Sequence, residues 1–153
     1  MKEIKKVLFP VDLSEASAEI APWVKTIAEK FNSEIHVLYV ARAFGHYAGV
    51  GVPYTFVADF ERELFKGAET SLADFMESTF KGLGAKATVV AGYPAEEILV
   101  YAEREGIDLI IIGTHGRRGL NRVIFGSVAE MVVKNAPVPV FTVNPYQKES
   151  TPQ

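Results

Sequence analysis

A chain of 153 residues with 48% hydrophobic and 23% charged residues has the make-up of one globular domain, which at this size buries about two-thirds of its unfolded surface. Its formal charge of −3 disfavours nucleic acid as the main partner, because neutralising phosphates takes a basic face. With no cysteine there is no disulfide framework, thiolate nucleophile or Cys-based metal centre, and no apolar run approaches the ~20 residues that span a bilayer. The apolar run Val7-Leu8-Phe9 is too short for a signal-peptide core, so a cytoplasmic protein with no membrane partner is expected.

Lys5 to Asp12 reads as a short buried strand halted by Pro10, with Asp12 and Ser14 placed to start a turn and cap a helix. Ala16, Ile20, Val24, Ile27, Ala28 and Phe31 then recur at helical spacing. Pro22 falls inside that pattern and predicts a kink or a restarted helix. Glu34 to Val40, rich in β-branched and aromatic residues, is the second strand. Residues 41–58 contain Gly45, Gly49, Gly51 and Pro53, follow neither period, and suggest a lid or an interface. Helical spacing resumes at Phe60, Leu64, Ala68, Leu72, Phe75, Met76 and Phe80.

Ala87 to Ala91 reads as a third strand, and Pro94 suits the first turn of a helix carrying Ile98, Leu99 and Ala102. Ile107 to Gly113 is nearly continuous apolar, as a central parallel strand covered on both faces requires. Val128, Met131 and Val132 mark a short helix, and Val138 to Val143 a last strand whose Pro139 cannot donate to a ladder and so favours an edge. The order β-α-β-α-β-α-β-α-β predicts an α/β fold: a five-stranded parallel sheet, doubly wound, in three α/β/α layers. One domain over residues 1–145 and a polar tail over 146–153 are expected.

In such sheets ligands sit beyond the carboxyl ends of the strands. Two segments fall there: Pro10-Val11-Asp12, and the loop from Gly113 to Ser127. Gly113 and Gly116 lack Cβ atoms, so the backbone can take positive φ and bring N–H groups against an anion. Gly126 and Ser127 open a helix whose free N–H groups and positive end favour phosphate, and the two ends of the loop should converge. Ser127 adds a hydroxyl donor; Arg117, Arg118 and Arg122 add charge. A P-loop is excluded because no lysine and Ser/Thr follow the last glycine, and a dinucleotide fingerprint because Pro10-Val11-Asp12 stands where its glycines would be. Each residue also has a plainer use: Asp12 as a helix cap, Val40 as core, His115 as a polar loop residue. His36 and His46 have no catalytic role in this reading.

Gly113, Gly116, Gly126 and Ser127 meet the pattern G-x2-G-x9-G-[S/T] without insertion. Together with Gly119-Leu120, Arg122, Pro10-Val11-Asp12, Gly92-Tyr93-Pro94 and Pro137-Val138-Pro139-Val140, they make the chain resemble the universal stress protein family, in its ATP-binding branch, over residues 2–144. The resemblance implies a Rossmann-like sheet of the adenine nucleotide alpha hydrolase type. It also implies that Gly113, His115, Gly116, Gly126, Ser127 and Val128 line ribose and phosphates, while Pro10, Val11, Asp12 and Val40 flank base and sugar. ATP is then the implied ligand, with Mg²⁺ or Mn²⁺ held mainly by its phosphates. A homodimer through the last strand, Val138 to Val143, and a role in stress regulation complete the expectation. No catalytic residue and no protein metal ligand are assigned, since Asp12 and His115, the only candidates for steering a hydrolytic water, sit in no recognisable constellation. A slow ATPase, or a dimeric interaction platform without nucleotide, are the alternatives.

Overall fold

The computed structural model describes residues 1–42, 51–115 and 125–146, and among these strands and helices alternate. They are β1 (Lys6–Val11), α1 (Glu15–Phe31), β2 (Glu34–Ala41), α2 (Tyr54–Thr79), β3 (Lys86–Ala91), α3 (Pro94–Arg104), β4 (Leu109–Gly113), α4 (Ser127–Asn135) and β5 (Val140–Val143). The strands form one sheet, all parallel, in the order β3-β2-β1-β4-β5.

Strand residues alternate between two cores, which is why β1 and β4 are apolar at nearly every position. Val7, Phe9 and Val11 face Ile20 and Val24 of α1 and Leu72 of α2. Leu8, Leu38 and Ile110 face Ile98 and Tyr101 of α3 and Val132 of α4. The doubly wound, three-layer expectation therefore holds. His36 belongs to the second core: it is buried, its Nδ1 lies 2.9 Å from the Tyr101 hydroxyl, and its Nε2 is 2.7 Å from Glu34 Oε1 but out of line for a hydrogen bond.

Several details differ from the sequence expectation. The first helix runs unbroken through Pro22; the carbonyl that the proline leaves unbonded belongs to Ala18, which is exposed to water, and Thr26 Oγ1 donates to Pro22 O at 3.0 Å. It stops where Asn32 turns left-handed at φ 54° and Ser33 N–H returns to Ala28 O. The second long helix starts at Tyr54, so residues 54–58 are helical rather than irregular; residues 43–50, including His46, lie outside the described residues. Phe60 and Leu64, expected in the core, are 50% and 40% exposed.

The first strand does not stop at Pro10; it continues to Val11, which pairs with Tyr39 of β2. Lys5 O accepts from Glu34 N–H on the β2 side, and Lys6 O from Asp108 N–H on the β4 side. Backbone groups of alternate residues thus address opposite neighbours, and Pro10, like Lys6, addresses β4. Having no N–H, it cannot supply the next rung there. The β1–β4 register accordingly ends at Leu8 and Ile110, whereas β1–β2 and β4–β5 stay paired to their carboxyl ends.

Candidate functional site

The strand order reverses between β1 and β4, the place where ligands enter open parallel sheets. Pro10 stands at that point, where the paired register of β1 and β4 ends at Leu8 and Ile110. On one lip stand Pro10, Val11 and Asp12; on the other stand Gly113, Thr114 and His115. Val40 lies one position past the Val11–Tyr39 pair, buried in the core under α3 and α4, at the end of the next strand.

The two ends of the glycine loop converge as expected. Gly126 N–H donates to Thr114 O at 2.6 Å, and Thr114 N–H donates to Val143 O at 2.8 Å, so one buried residue joins the start of α4, the end of β4 and the edge strand β5. The first intrahelical bond of α4 is Glu130 N–H to Gly126 O. The N–H groups of Ser127, Val128 and Ala129 precede it and have no carbonyl of their own helix to meet. Gly126, the residue at the cap position, has no side chain to satisfy them. Glu130, acidic in the first turn, is drawn away by Lys134 at 2.7 Å, whose hydrogen bond and charge hold its carboxyl below the usual value.

Of Gly113 and Gly116, expected to allow positive φ, Gly113 does not use it. Gly126 sits at φ −68° and ψ 159°, and a Cβ there would meet only Thr114 O at 3.4 Å. Gly113 is also outside the left-handed region; its side chain is missing because Ile20 Cδ1 stands 2.5 Å from where a Cβ would lie. Gly113 therefore leaves room for the end of Ile20 of α1 against β4. Gly116, Arg117, Arg118 and Arg122 lie outside the described residues.

Asp12 is the hub of the other lip. Its Oδ1 accepts from Ser14 N–H at 3.0 Å, from Ser14 Oγ at 2.6 Å and from Ser17 Oγ at 2.9 Å, and its own N–H donates to Ser17 Oγ at 3.2 Å. The bend this enforces holds Leu13 at φ 61°, a conformation few bulky residues adopt. Asp12 is not itself the helix cap, which is Ser14 and makes no side-chain cap bond; its Oδ1 instead ties together Ser14 and Ser17 at the start of α1. Ser17, buried within the same network, was not singled out from sequence, although the spacing Asp12-Ser14-Ser17 carries the signal.

His115 Nδ1 lies 2.8 Å from Thr114 Oγ1, and its ring meets Tyr146 edge to face at 5.9 Å. Tyr146, grouped with the polar tail by composition, thereby reaches the same lip as His115. Among the described residues no group of three or more His, Asp or Glu is arranged to hold a metal ion, and no helix is long and apolar enough to cross a membrane.

The sequence pattern of the Universal stress protein family matches residues 3–144. The chain belongs to the universal stress protein family. Among curated members, universal stress protein MJ0531 of Methanocaldococcus jannaschii is 35% identical over 147 residues, covering 95% of this chain and 85% of that one. MJ0577 of the same organism is 34% identical over 152 residues, with 91% and 94% covered. The solved structure of MJ0577 matches with a TM-score of 0.78 at 30% identity, over 97% of this chain and 100% of the other. Two more distant structures share the fold: a universal stress protein in complex with cAMP (TM-score 0.60, 17% identity, 94% and 99% covered) and one from Archaeoglobus fulgidus in complex with dAMP (0.61, 18%, 92% and 98%).

Proposed function

We propose that the protein is a cytoplasmic, nucleotide-dependent regulator that binds ATP in the gap between β1 and β4. The observation that carries this reading is the start of α4, tethered by the Gly126–Thr114 bond at the place where the β1–β4 register ends. Three N–H groups and a helix dipole suit the phosphates, and Gly126 presents no side chain to obstruct them. Ser127 and Val128 would meet phosphate, with Gly113, Gly116 and His115 bordering ribose and phosphates; Pro10, Val11, Asp12 and Val40 would flank base and ribose. A divalent ion, Mg²⁺ or Mn²⁺, would be carried by the phosphates. The complexes of two family members with cAMP and dAMP, both adenine mononucleotides, support the ligand class.

A regulator is favoured over a hydrolase because Asp12 Oδ1 is already committed to Ser14 and Ser17, which suits a scaffold more than a base. A homodimer through β5 fits its place at the edge of the sheet, with Trp23 and Phe141, rings 6.3 Å apart, both exposed beside it. In this reading a protein partner responds to nucleotide occupancy of the 113–127 loop. Amide hydrogen exchange of residues 116–124 tests it: saturating Mg-ATP slows exchange there if the loop is the switch, and equal exchange with and without ATP would refute the switch.

A further inference from the structure

The last rung of the β2–β3 ladder pairs Ala41 with Ala91, where the rung two residues earlier pairs Tyr39 with Val89. Alternate strand residues share a face, so these four side chains lie on the α2 side of the sheet. Tyr39 and Val89 fill the space under α2 together with Phe75 and Met76. One rung further along, methyl groups replace them, and Ala58 of α2 contributes another. A cavity of about 280 Å³ remains, walled by Leu64 and Phe65 and bordered by Arg42, Arg62 and Glu61. Val40, the neighbouring residue of β2, faces the opposite layer, so the strand separates this cavity from the gap between β1 and β4.

We propose that this cavity is a second small-molecule site, for a compact apolar or aromatic body bearing one carboxylate or sulfonate. It has the position of a ligand site, at the carboxyl ends of parallel strands, and an apolar interior with a few polar groups at its border. Two guanidinium groups meet two carboxylates there, Glu61 and the Asp59 that pairs with Arg62, so the border is balanced and accepts at most a monoanion, by exchange for Asp59 on Arg62, which disfavours a polyphosphate. Arg62 is held only by Asp59 at 3.2 Å, an ion pair between side chains 66% and 71% exposed, so turning its donors to a ligand costs little. The proposal stands independently of nucleotide binding.

The test is fluorescence titration of the full chain with 8-anilinonaphthalene-1-sulfonate. Saturable binding of one probe per chain is expected. It weakens about tenfold or more when both Arg42→Ser and Arg62→Ser are present, and again in Ala58→Phe, which fills the cavity. Gly126→Val and excess ATP leave it unchanged. Binding that ignores both cavity variants would place the probe on the exposed Phe56 and Phe60 of α2 and overturn the proposal. So would displacement by ATP, loss in Gly126→Val, or no binding at all. Because the two arginines are surface residues, their variant reads out even where Ala58→Phe fails to fold.

Discussion

Ile20 Cδ1 lies 2.5 Å from the place that a Cβ on Gly113 would take, so a side chain at residue 113 makes the end of Ile20 turn aside. Gly113→Ala is expected to cost about 0.5–1.5 kcal/mol, the scale of a side chain pushed off its rotamer. Ile20→Val alone costs about 0.5–1.5 kcal/mol, yet combined with Gly113→Ala it should recover part of the loss by removing the clashing methyl. Urea unfolding of the four proteins measures the coupling. Strictly additive losses would show that His115 O, 3.2 Å from the same Cβ, sets the penalty instead.

Pro10 faces β4 and has no N–H to offer it. Pro10→Ala supplies that donor, and the ladder is expected to lengthen by one rung, closing the gap from its base. The amide of residue 10 should then exchange slowly, stability should rise by no more than about 1 kcal/mol, and nucleotide affinity should fall. Rapid exchange at that amide would mean the strands diverge for a reason other than the proline.

Phe141 and Trp23 lie on the open side of the sheet, with 39% and 53% of their surfaces exposed. If a second chain pairs along β5, Phe141→Glu places a charge in the seam. Sedimentation equilibrium should then show a dimer for the parent chain and a monomer for the variant, with a change in the emission of Trp23, the sole tryptophan. Equal masses would rule out this seam.

Much of the architecture is legible in the sequence because the signals are local and redundant. The run Leu109-Ile110-Ile111-Ile112 needs cover on both faces, and Pro94 does open a helix. The misreadings come from effects that no single segment contains. Pro10 reads as a stop, but a proline ends a ladder on only one side of a strand, and which side depends on neighbours remote in sequence. Phe60 and Leu64 have core spacing, yet they are exposed while Val57 of the same helix is buried, a difference their spacing alone does not carry. At the site, the convergence of Gly113 and Gly126 follows from their spacing around one loop. The placement of Tyr146 on His115, and the use of Gly113 for packing rather than for positive φ, depend on contacts across the fold.

The central claim is that the gap beside α4 holds ATP. Calorimetric titration of nucleotide-stripped protein with Mg-ATP, run beside Gly126→Val, tests it most directly. A Cβ at residue 126 meets only an ordinary 3.4 Å contact and φ there is −68°, so the variant is expected to fold while its branched side chain blocks the phosphates. The account predicts one ATP per chain for the parent and at least about a hundredfold weaker binding, roughly 2.7 kcal/mol, for the variant. Undiminished binding by the variant, or no binding by the parent chain, would contradict it.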